Sequence, residues 1–183
     1  MFNCLILSAT PVIRKLPKNI KVINEVSVFK CPADSYTARL HAISKVAEPA
    51  FFFLDYDDEY KDMAYFPATM KIGVENWVNK QAGFNITKTV SNYSLAKHLV
   101  TPQLVHSAWT VNTEKARFIV EKMPKSGAYY FEHMFTYMFI KEFGFEHEPK
   151  LKYQWEIFSS GLHKQFGELI NNTVEFLKNL ESK

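Results

Sequence analysis

A run of apolar residues that ends in a cluster of carboxylates most constrains what this chain can fold into. The chain reads Phe-Phe-Phe-Leu over residues 51–54 and continues as Asp-Tyr-Asp-Asp-Glu over residues 55–59. A short, continuous apolar run bounded by a proline and polar residues predicts a buried strand of a parallel sheet. The carboxylates then lie just beyond the carboxyl end of that strand, where ligands bind in open α/β sheets.

The acidic cluster has two interpretations. Asp55, Asp57 and Asp58 repel one another unless a cation neutralises them, and their hard oxygen atoms suit Mg²⁺, Mn²⁺ or Ca²⁺. The alternative is a solvated acidic turn, because such turns often follow strands. The acids alone do not discriminate between a cation site and a solvated turn, so the decision depends on the rest of the chain.

The first sixty residues have the element order of an α/β domain. Residues 2–7 are apolar and precede Ser8-Ala9-Thr10-Pro11, which predicts a first buried strand and its loop. Residues 20–29 alternate loosely, as in one or two short strands. Residues 36–47 have helical apolar spacing, with Asp34-Ser35 as the predicted N-cap. This order predicts a mostly parallel sheet flanked by helices.

Composition limits the class of protein. The chain has 183 residues, of which 47% are hydrophobic and 22% charged, so it suits one folded domain rather than a disordered protein. Its net charge of +3 permits a phosphate-bearing ligand or nucleic acid but does not require one. No apolar run reaches the length of a membrane span, and no secretory leader is expected. Two cysteines, Cys4 and Cys31, are expected to be reduced and buried in a cytoplasmic protein.

The first part of the chain resembles a known family. Ala38-Arg39, Ala42-Ile43 and residues 53–58 resemble the first half of GT-A-fold glycosyltransferases, particularly the large family-2 type. Those enzymes have an Ala-Arg-Asn-like helix followed by a strand that ends in Leu-Asp-x-Asp-Asp. Leu40 stands here in the place of that asparagine. The resemblance covers residues 3–60 well and the remainder loosely.

The resemblance implies a fold. It implies a single GT-A-like (Rossmann-like) domain over residues 1–183, with a mostly parallel central sheet flanked by helices. Residues 1–60 would form the nucleotide-sugar-binding half, residues 61–165 the acceptor and catalytic half, and residues 166–183 a C-terminal helix. That last helix is expected to pack on the domain or on a second copy, as in a homodimer.

The resemblance also implies a metal. Asp55 and Asp57 or Asp58 would hold Mn²⁺ or Mg²⁺ on the diphosphate of a nucleotide sugar such as a UDP-sugar. The metal would neutralise the charge that develops on the leaving nucleoside diphosphate. His163, in a late loop of small residues, would be a third metal ligand or a diphosphate contact.

The same resemblance implies further donor contacts. Arg39 would lie against the base or the diphosphate, and Thr10 and Pro11 would form part of the nucleotide pocket. An ordinary helix-surface arginine is the alternative for Arg39. Trp77 or Trp109 could stack on a sugar or a base, although a core position is the preferred interpretation for each tryptophan taken singly.

The catalytic base is expected on a late helix. Apolar residues within residues 127–143 follow helical spacing and predict an amphipathic helix with one broad apolar face. Glu132 falls at the border of that face and His133 on the solvent side. In the family an acidic pair opens a comparable helix and supplies the base, whereas His133 replaces the second acid here. Glu132 is preferred because partial burial can raise the pKa of a carboxylate, and His133 remains the second candidate by its ordinary pKa.

Three function classes follow. The first is a metal-dependent glycosyltransferase; compact bacteriophage enzymes of this kind glycosylate hydroxymethylated bases of DNA, so DNA is one acceptor, and a saccharide or lipid acceptor stays open. The second is haloacid-dehalogenase-like phosphoryl transfer, whose Asp-x-Asp normally lies on the first strand and precedes Thr or Val where Glu59 stands here. The third is a non-enzymatic nucleic-acid-binding module, although the basic residues form no dense patch.

Overall fold

The computed structural model describes residues 1–13, 15–26, 32–55, 59–79, 83–90, 93–102, 108–156 and 163–182. These residues form a mixed α/β fold with helices packed against a single sheet. The strands are β1 (Phe2–Ser8), β2 (Ile20–Val26), β3 (Ala50–Phe53), β4 (Glu59–Asp62), β5 (Met70–Asn79), β6 (Phe84–Lys88), β7 (Trp109–Asn112) and β8 (Glu146–Glu156). The helices are α1 (Pro32–Ser44), α2 (Leu95–Val100), α3 (Thr113–Lys122), α4 (Phe131–Phe143) and α5 (His163–Glu181).

The sheet is parallel only in part. Its strand order is β2-β1-β3-β7-β5-β8-β4, with β6 paired to β5. Strand β1 is parallel to β2 and β3, and β5 is parallel to β8, whereas the other four described pairings are antiparallel. The prediction of a mixed α/β fold is confirmed, but the prediction of a mostly parallel sheet holds only for the first half. A parallel neighbour needs a crossover of a dozen or more residues, and only residues 80–83 separate β5 from β6.

Strand β3 is the buried strand that the apolar run predicts, and it lies between two layers. On one face, Phe51 and Phe53 contact Trp109 edge-on at 6.2 and 5.7 Å between ring centroids. On the other face, Phe52 contacts Tyr60 of β4 at 5.9 Å. Strand β4 is far from β3 in the strand order, so the sheet curls to bring these two strands face to face.

Helix α4 occupies the centre of the helical layer. It contacts each of the other four helices, and every residue from Phe131 to Ile140 is buried. The prediction of an amphipathic helix with a solvent side is therefore wrong for this stretch. A helix that is buried on every side is expected to be apolar on every side. Thr136 and Tyr137 interrupt the apolar pattern here, so the sequence does not indicate that the helix is buried on every side.

Two element boundaries differ from the predictions. Helix α1 begins at Pro32, so Asp34-Ser35 lies inside its first turn rather than capping it; proline favours the first helical position because its missing N–H is not needed there. The apolar and aromatic residues within 151–158 predict a strand that begins at 151 after a loop or edge strand, whereas β8 begins at Glu146 and includes Pro149. The register of β8 on β5 shifts between Ile72 and Val74, and such irregularities accommodate proline.

Core residues confirm two smaller predictions. Cys4 is a fully buried thiol, and Trp109 is a fully buried core residue. Cys31 and the Trp77 side chain lie outside the described residues. Across the described part of the chain, no helix combines the length and apolar character needed to cross a membrane.

Candidate functional site

Three residues of the predicted site meet at the carboxyl end of β3. One guanidinium nitrogen of Arg39, Nη2, lies 2.7 Å from Oε1 of Glu132 and 3.5 Å from Oδ1 of Asp55. Arg39 is on α1, Asp55 follows β3, and Glu132 is in the first turn of α4. The guanidinium thus joins three elements that are distant in sequence.

The sequence dictates this meeting through the alternation of β3. Phe51 and Phe53 face the helical layer, and Asp55 is the next residue in that alternation. Strand β1 is parallel to β3 with Leu5 opposite Phe53, so the two strands end at the same edge of the sheet. Helix α1 leads into β3 and lies on that face, which brings Arg39 back over the strand end.

Aromatic rings bury the Arg39 side chain. The guanidinium carbon lies 4.8 Å from the Phe53 ring centroid and 5.8 Å from that of Phe131. Only 6% of the side chain is exposed. The ring faces attract the cation, and its isolation from water strengthens its pairing with the carboxylates. The alternative of an ordinary surface arginine is therefore wrong.

The described charges at this centre are one guanidinium and two carboxylates. Arg39 carries one positive charge against the two carboxylates of Asp55 and Glu132, and a quarter of the Asp55 side chain is exposed. Asp55 thus offers a hard oxygen ligand that a cation from solvent can reach. Across the described residues no group of three His, Cys, Asp or Glu could hold a metal ion.

Three members of the predicted metal set cannot be placed against this centre. Asp57 and Asp58 lie outside the described residues. His163 is the first residue of α5, but its side chain is also outside the described part. Asp55 is therefore the one predicted metal ligand whose surroundings are described.

The loop after β1 borders the same edge of the sheet. Thr10 and Pro11 are exposed there, just past the end of β1 at Ser8. The Ser8 hydroxyl donates to the Thr10 carbonyl, and the Asn24 side chain of β2 bonds both the N–H and the C=O of Val12, at 3.0 and 3.3 Å. These bonds hold Thr10 and Pro11 at the carboxyl edge of the sheet, and their place in a nucleotide pocket stays a prediction.

His133 does not face solvent as expected. Its side chain is 1% exposed and its ring stacks on His98 of α2, with ring centroids 5.2 Å apart and an angle of 9° between the planes. Its Nε2 donates to the backbone carbonyl of His98. Its Nδ1 is buried and has no hydrogen-bond partner among the described residues. The predicted solvent position of His133 is thus wrong because α2 covers that side of α4.

The hydrogen bonds around His98 define its tautomer. The Thr136 hydroxyl donates its single proton to the Glu132 carbonyl, so its oxygen accepts from Nε2–H of His98 at 3.4 Å. The Tyr93 hydroxyl then donates to Nδ1 of His98 at 3.0 Å. Burial, together with the neighbouring His133, lowers the pKa of His98 from 6.5 to about 3. Burial likewise lowers the pKa of His133, so both rings are neutral.

Acidification is expected to destabilise the fold through His98. Because its pKa in the folded protein lies below the ordinary value, the unfolded chain binds a proton that the folded chain does not. The free energy of unfolding therefore falls as the pH falls below 6.5, by up to about 1.4 kcal/mol per pH unit from this residue. Urea denaturation of the wild type and His98→Gln at about pH 8, 6 and 4.5 measures this difference. Equal pH dependence in the two proteins contradicts it.

The sequence does not predict that His98 pairs with His133. Its helix, α2, is six residues long and is capped by Ser94, whose side chain accepts from Lys97 N–H. Nothing local to that segment indicates that His98 stacks on a residue 35 positions later. The two candidate bases therefore lie in different surroundings. His133 contacts α2, whereas Glu132 contacts Arg39, which also contacts Asp55.

Comparisons with known proteins leave the site to be interpreted from its own geometry. No family model matches the chain, and no curated protein is significantly similar to it in sequence. The geometry to be explained is one buried guanidinium that joins a partly exposed carboxylate at a strand end to a buried carboxylate on a helix.

Proposed function

We propose that the protein is a metal-dependent glycosyltransferase that moves a sugar from a nucleoside-diphosphate sugar to an acceptor hydroxyl. The observation that carries this proposal is the contact of Arg39 with both Asp55 and Glu132. The resemblance to GT-A-fold glycosyltransferases implies that Asp55 belongs to the donor side of such a site and Glu132 to the acceptor side. Their meeting on one guanidinium would hold the two bound substrates close together, as a group transfer requires.

The organisation of the sheet supports the proposal. Strands β2, β1 and β3 form a parallel unit, and Asp55 follows the carboxyl end of its innermost strand. Ligands bind at that edge in α/β sheets. The next strand in the sheet, β7, is antiparallel to β3 and ends this parallel unit. The proposal therefore includes a GT-A-like division, in which the parallel unit belongs to the nucleotide-binding half and the strands beyond it to the acceptor half.

On the donor side, the residues supply charge and shape. Asp55, with Asp57 and Asp58 from the adjoining segment, would hold a divalent ion, and that ion would neutralise the charge on the departing diphosphate. Thr10 and Pro11 would line the nucleotide pocket at the same edge. Arg39 does not need to contact the donor in this scheme, because its guanidinium orients Asp55 and Glu132.

On the acceptor side, Glu132 acts as the base. Its carboxylate accepts the proton of the acceptor hydroxyl while the hydroxyl oxygen forms a bond to the anomeric carbon of the sugar. The bond between that carbon and the diphosphate oxygen breaks, and its electron pair leaves with the nucleoside diphosphate. Arg39, at 2.7 Å, fixes the carboxylate in one orientation.

Nucleoside diphosphates are expected to stabilise the protein only with a divalent metal. At about one hundred times the dissociation constant a ligand adds about 2.7 kcal/mol to the stability of the folded state. For a chain of 183 residues that is a rise in melting temperature of roughly 5–10 °C. A panel of nucleoside diphosphates, each with and without Mn²⁺ or Mg²⁺, measures the shift. Asp55→Asn is expected to abolish it, whereas Asp62→Asn, which changes an exposed acid on β4, is expected to keep it.

Glu132→Gln is expected to separate binding from turnover. It should keep the metal-dependent stabilisation and lower the rate of sugar transfer or donor hydrolysis by about 10²–10⁴-fold, because it removes a general base. Acceptors to be compared are hydroxymethylated and unmodified DNA, saccharides and lipids. The proposal fails if no nucleotide raises the melting temperature and Asp55→Asn cannot be distinguished from the wild type.

A further inference from the structure

Two side chains of α5 hold the loop that leads into α4. The Thr173 hydroxyl accepts from the backbone N–H of Tyr130 at 2.9 Å, and the Asn172 amide donates to the Ala128 carbonyl at 3.0 Å. These contacts join residues 43 and 44 positions apart in the chain. Both bonds end on backbone atoms, so α5 fixes the path of the chain just before α4.

Thr173 has the hydrogen-bonding capacity that this position needs. Its side chain is fully buried, and its own proton is donated to the Leu169 carbonyl one turn earlier in α5, at 2.8 Å. The hydroxyl oxygen is therefore left as an acceptor pointing out of the helix, where it receives the Tyr130 N–H. Valine would preserve the shape of threonine and remove this acceptor.

The bond to Tyr130 acts on the turn that carries Glu132. Tyr130 precedes α4 and provides no side-chain cap for it. Its carbonyl accepts from the N–H of Met134 at 3.1 Å, which closes the first turn around Phe131, Glu132 and His133. The orientation of that turn determines where the Glu132 carboxylate meets Arg39, and Phe131 in the same turn contacts the Arg39 guanidinium.

Aromatic packing extends the connection to α1. Tyr129, in the loop that α5 holds, contacts Phe176 of α5 at 5.7 Å and Tyr36 of α1 at 5.5 Å between ring centroids. Tyr36 lies one turn before Arg39 on the same helix. The loop before α4 is therefore held between α5 and the helix that supplies the guanidinium.

We propose that Thr173 is a positioning residue, which sets the first turn of α4 so that Glu132 reaches Arg39 and the acceptor. The catalytic part of this inference rests on the proposed function, whereas the placement of the turn does not. Helix α5 would thus contribute Thr173 to the site, although Thr173 is not itself a reacting group.

The test compares Thr173→Val with Thr173→Ser in the whole 183-residue chain. Amide hydrogen exchange of Met134 relative to the amides of β8 reports on the first turn of α4, and steady-state kinetics report on turnover. The matched control is Thr113→Val, since the Thr113 hydroxyl is also buried and bonds to a backbone carbonyl, that of Glu48, at 2.6 Å. It lies at the start of α3, away from α4's first turn.

Thr173→Val is expected to speed Met134 exchange at least about tenfold relative to β8, because the part-buried N–H of Tyr130 loses its acceptor just before that turn. It should also lower kcat at least about tenfold and leave the donor KM unchanged, since Glu132 serves the acceptor. Thr173→Ser, which keeps the hydroxyl, should restore both, and Thr113→Val should change neither ratio.

Two results overturn the inference. One is unchanged Met134 exchange in Thr173→Val, and the other is a loss in Thr113→Val as large as that in Thr173→Val. If the wild type turns over no sugar nucleotide, the proposed function fails, and the exchange ratios still decide whether Thr173 positions the turn.

Discussion

Arg39→Met lowers the free energy of unfolding by an expected 3–5 kcal/mol or so, which is the effect of removing one partner of a buried ion pair. The loss arises because the Glu132 carboxylate is 8% exposed and would remain in the core without the guanidinium 2.7 Å away. Contact of the cation with the Phe53 ring is lost as well. Urea denaturation measures the change.

The origin of this loss can be isolated. Adding Glu132→Gln to Arg39→Met is expected to recover part of the stability, because no buried charge is then left uncompensated. Lys61→Met serves as the matched control: it breaks an ion pair of similar length, 2.8 Å to Glu59, on exposed side chains, and should cost less than about 1 kcal/mol. A loss in Arg39→Met no larger than in Lys61→Met would mean that the guanidinium does not hold the site together.

The part of the site that the sequence predicted is the part that local rules determine. The apolar run at 51–54 predicts strand β3, alternation then places Asp55 on the face of Phe51 and Phe53, and the helix between two parallel strands has to lie on one face of the sheet. Arg39 on that helix therefore falls near the strand end. None of these steps needs a contact with the second half of the chain.

The predictions that failed depend on contacts between distant segments. His133 was expected in solvent because its helix was considered alone, and the covering helix α2 carries no signal that it packs there. The parallel pairing of β5 with β8 joins segments about seventy residues apart, with a register shift that no local pattern predicts. Glu132 is predicted at the border of an apolar face, whereas the structure buries it in α4, and its partner Arg39 follows only from the assembled helices.

The pairing of β5 with β8 leads to the second large effect, which is expected for Gly73→Ala. A Cβ at Gly73 would lie 2.1 Å from the backbone oxygen of Leu151 and 2.5 Å from its Cδ2. The side-chain atom can move aside, but the carbonyl belongs to β8 and cannot. On its other side, the Gly73 N–H bonds the Ala108 carbonyl at 2.9 Å, so β5 cannot retreat without losing that bond. Overpacking of this kind should lower the free energy of unfolding by about 3 kcal/mol or more.

Gly167→Ala is the matched control for this substitution. Gly167 lies within α5, and no atom of the described residues is within 4 Å of the Cβ that alanine would add. Alanine favours a helix over glycine, so this variant should gain roughly 0.5–1 kcal/mol. Urea denaturation of both variants compares the same chemical change at a closed and an open position.

If Gly73→Ala were as stable as the wild type, β8 could not approach β5 as closely as it does beside Gly73. The parallel pairing that carries β8 and β4 into the sheet would then be wrong, whereas the parallel unit of β2, β1 and β3 beneath Arg39 would be unaffected.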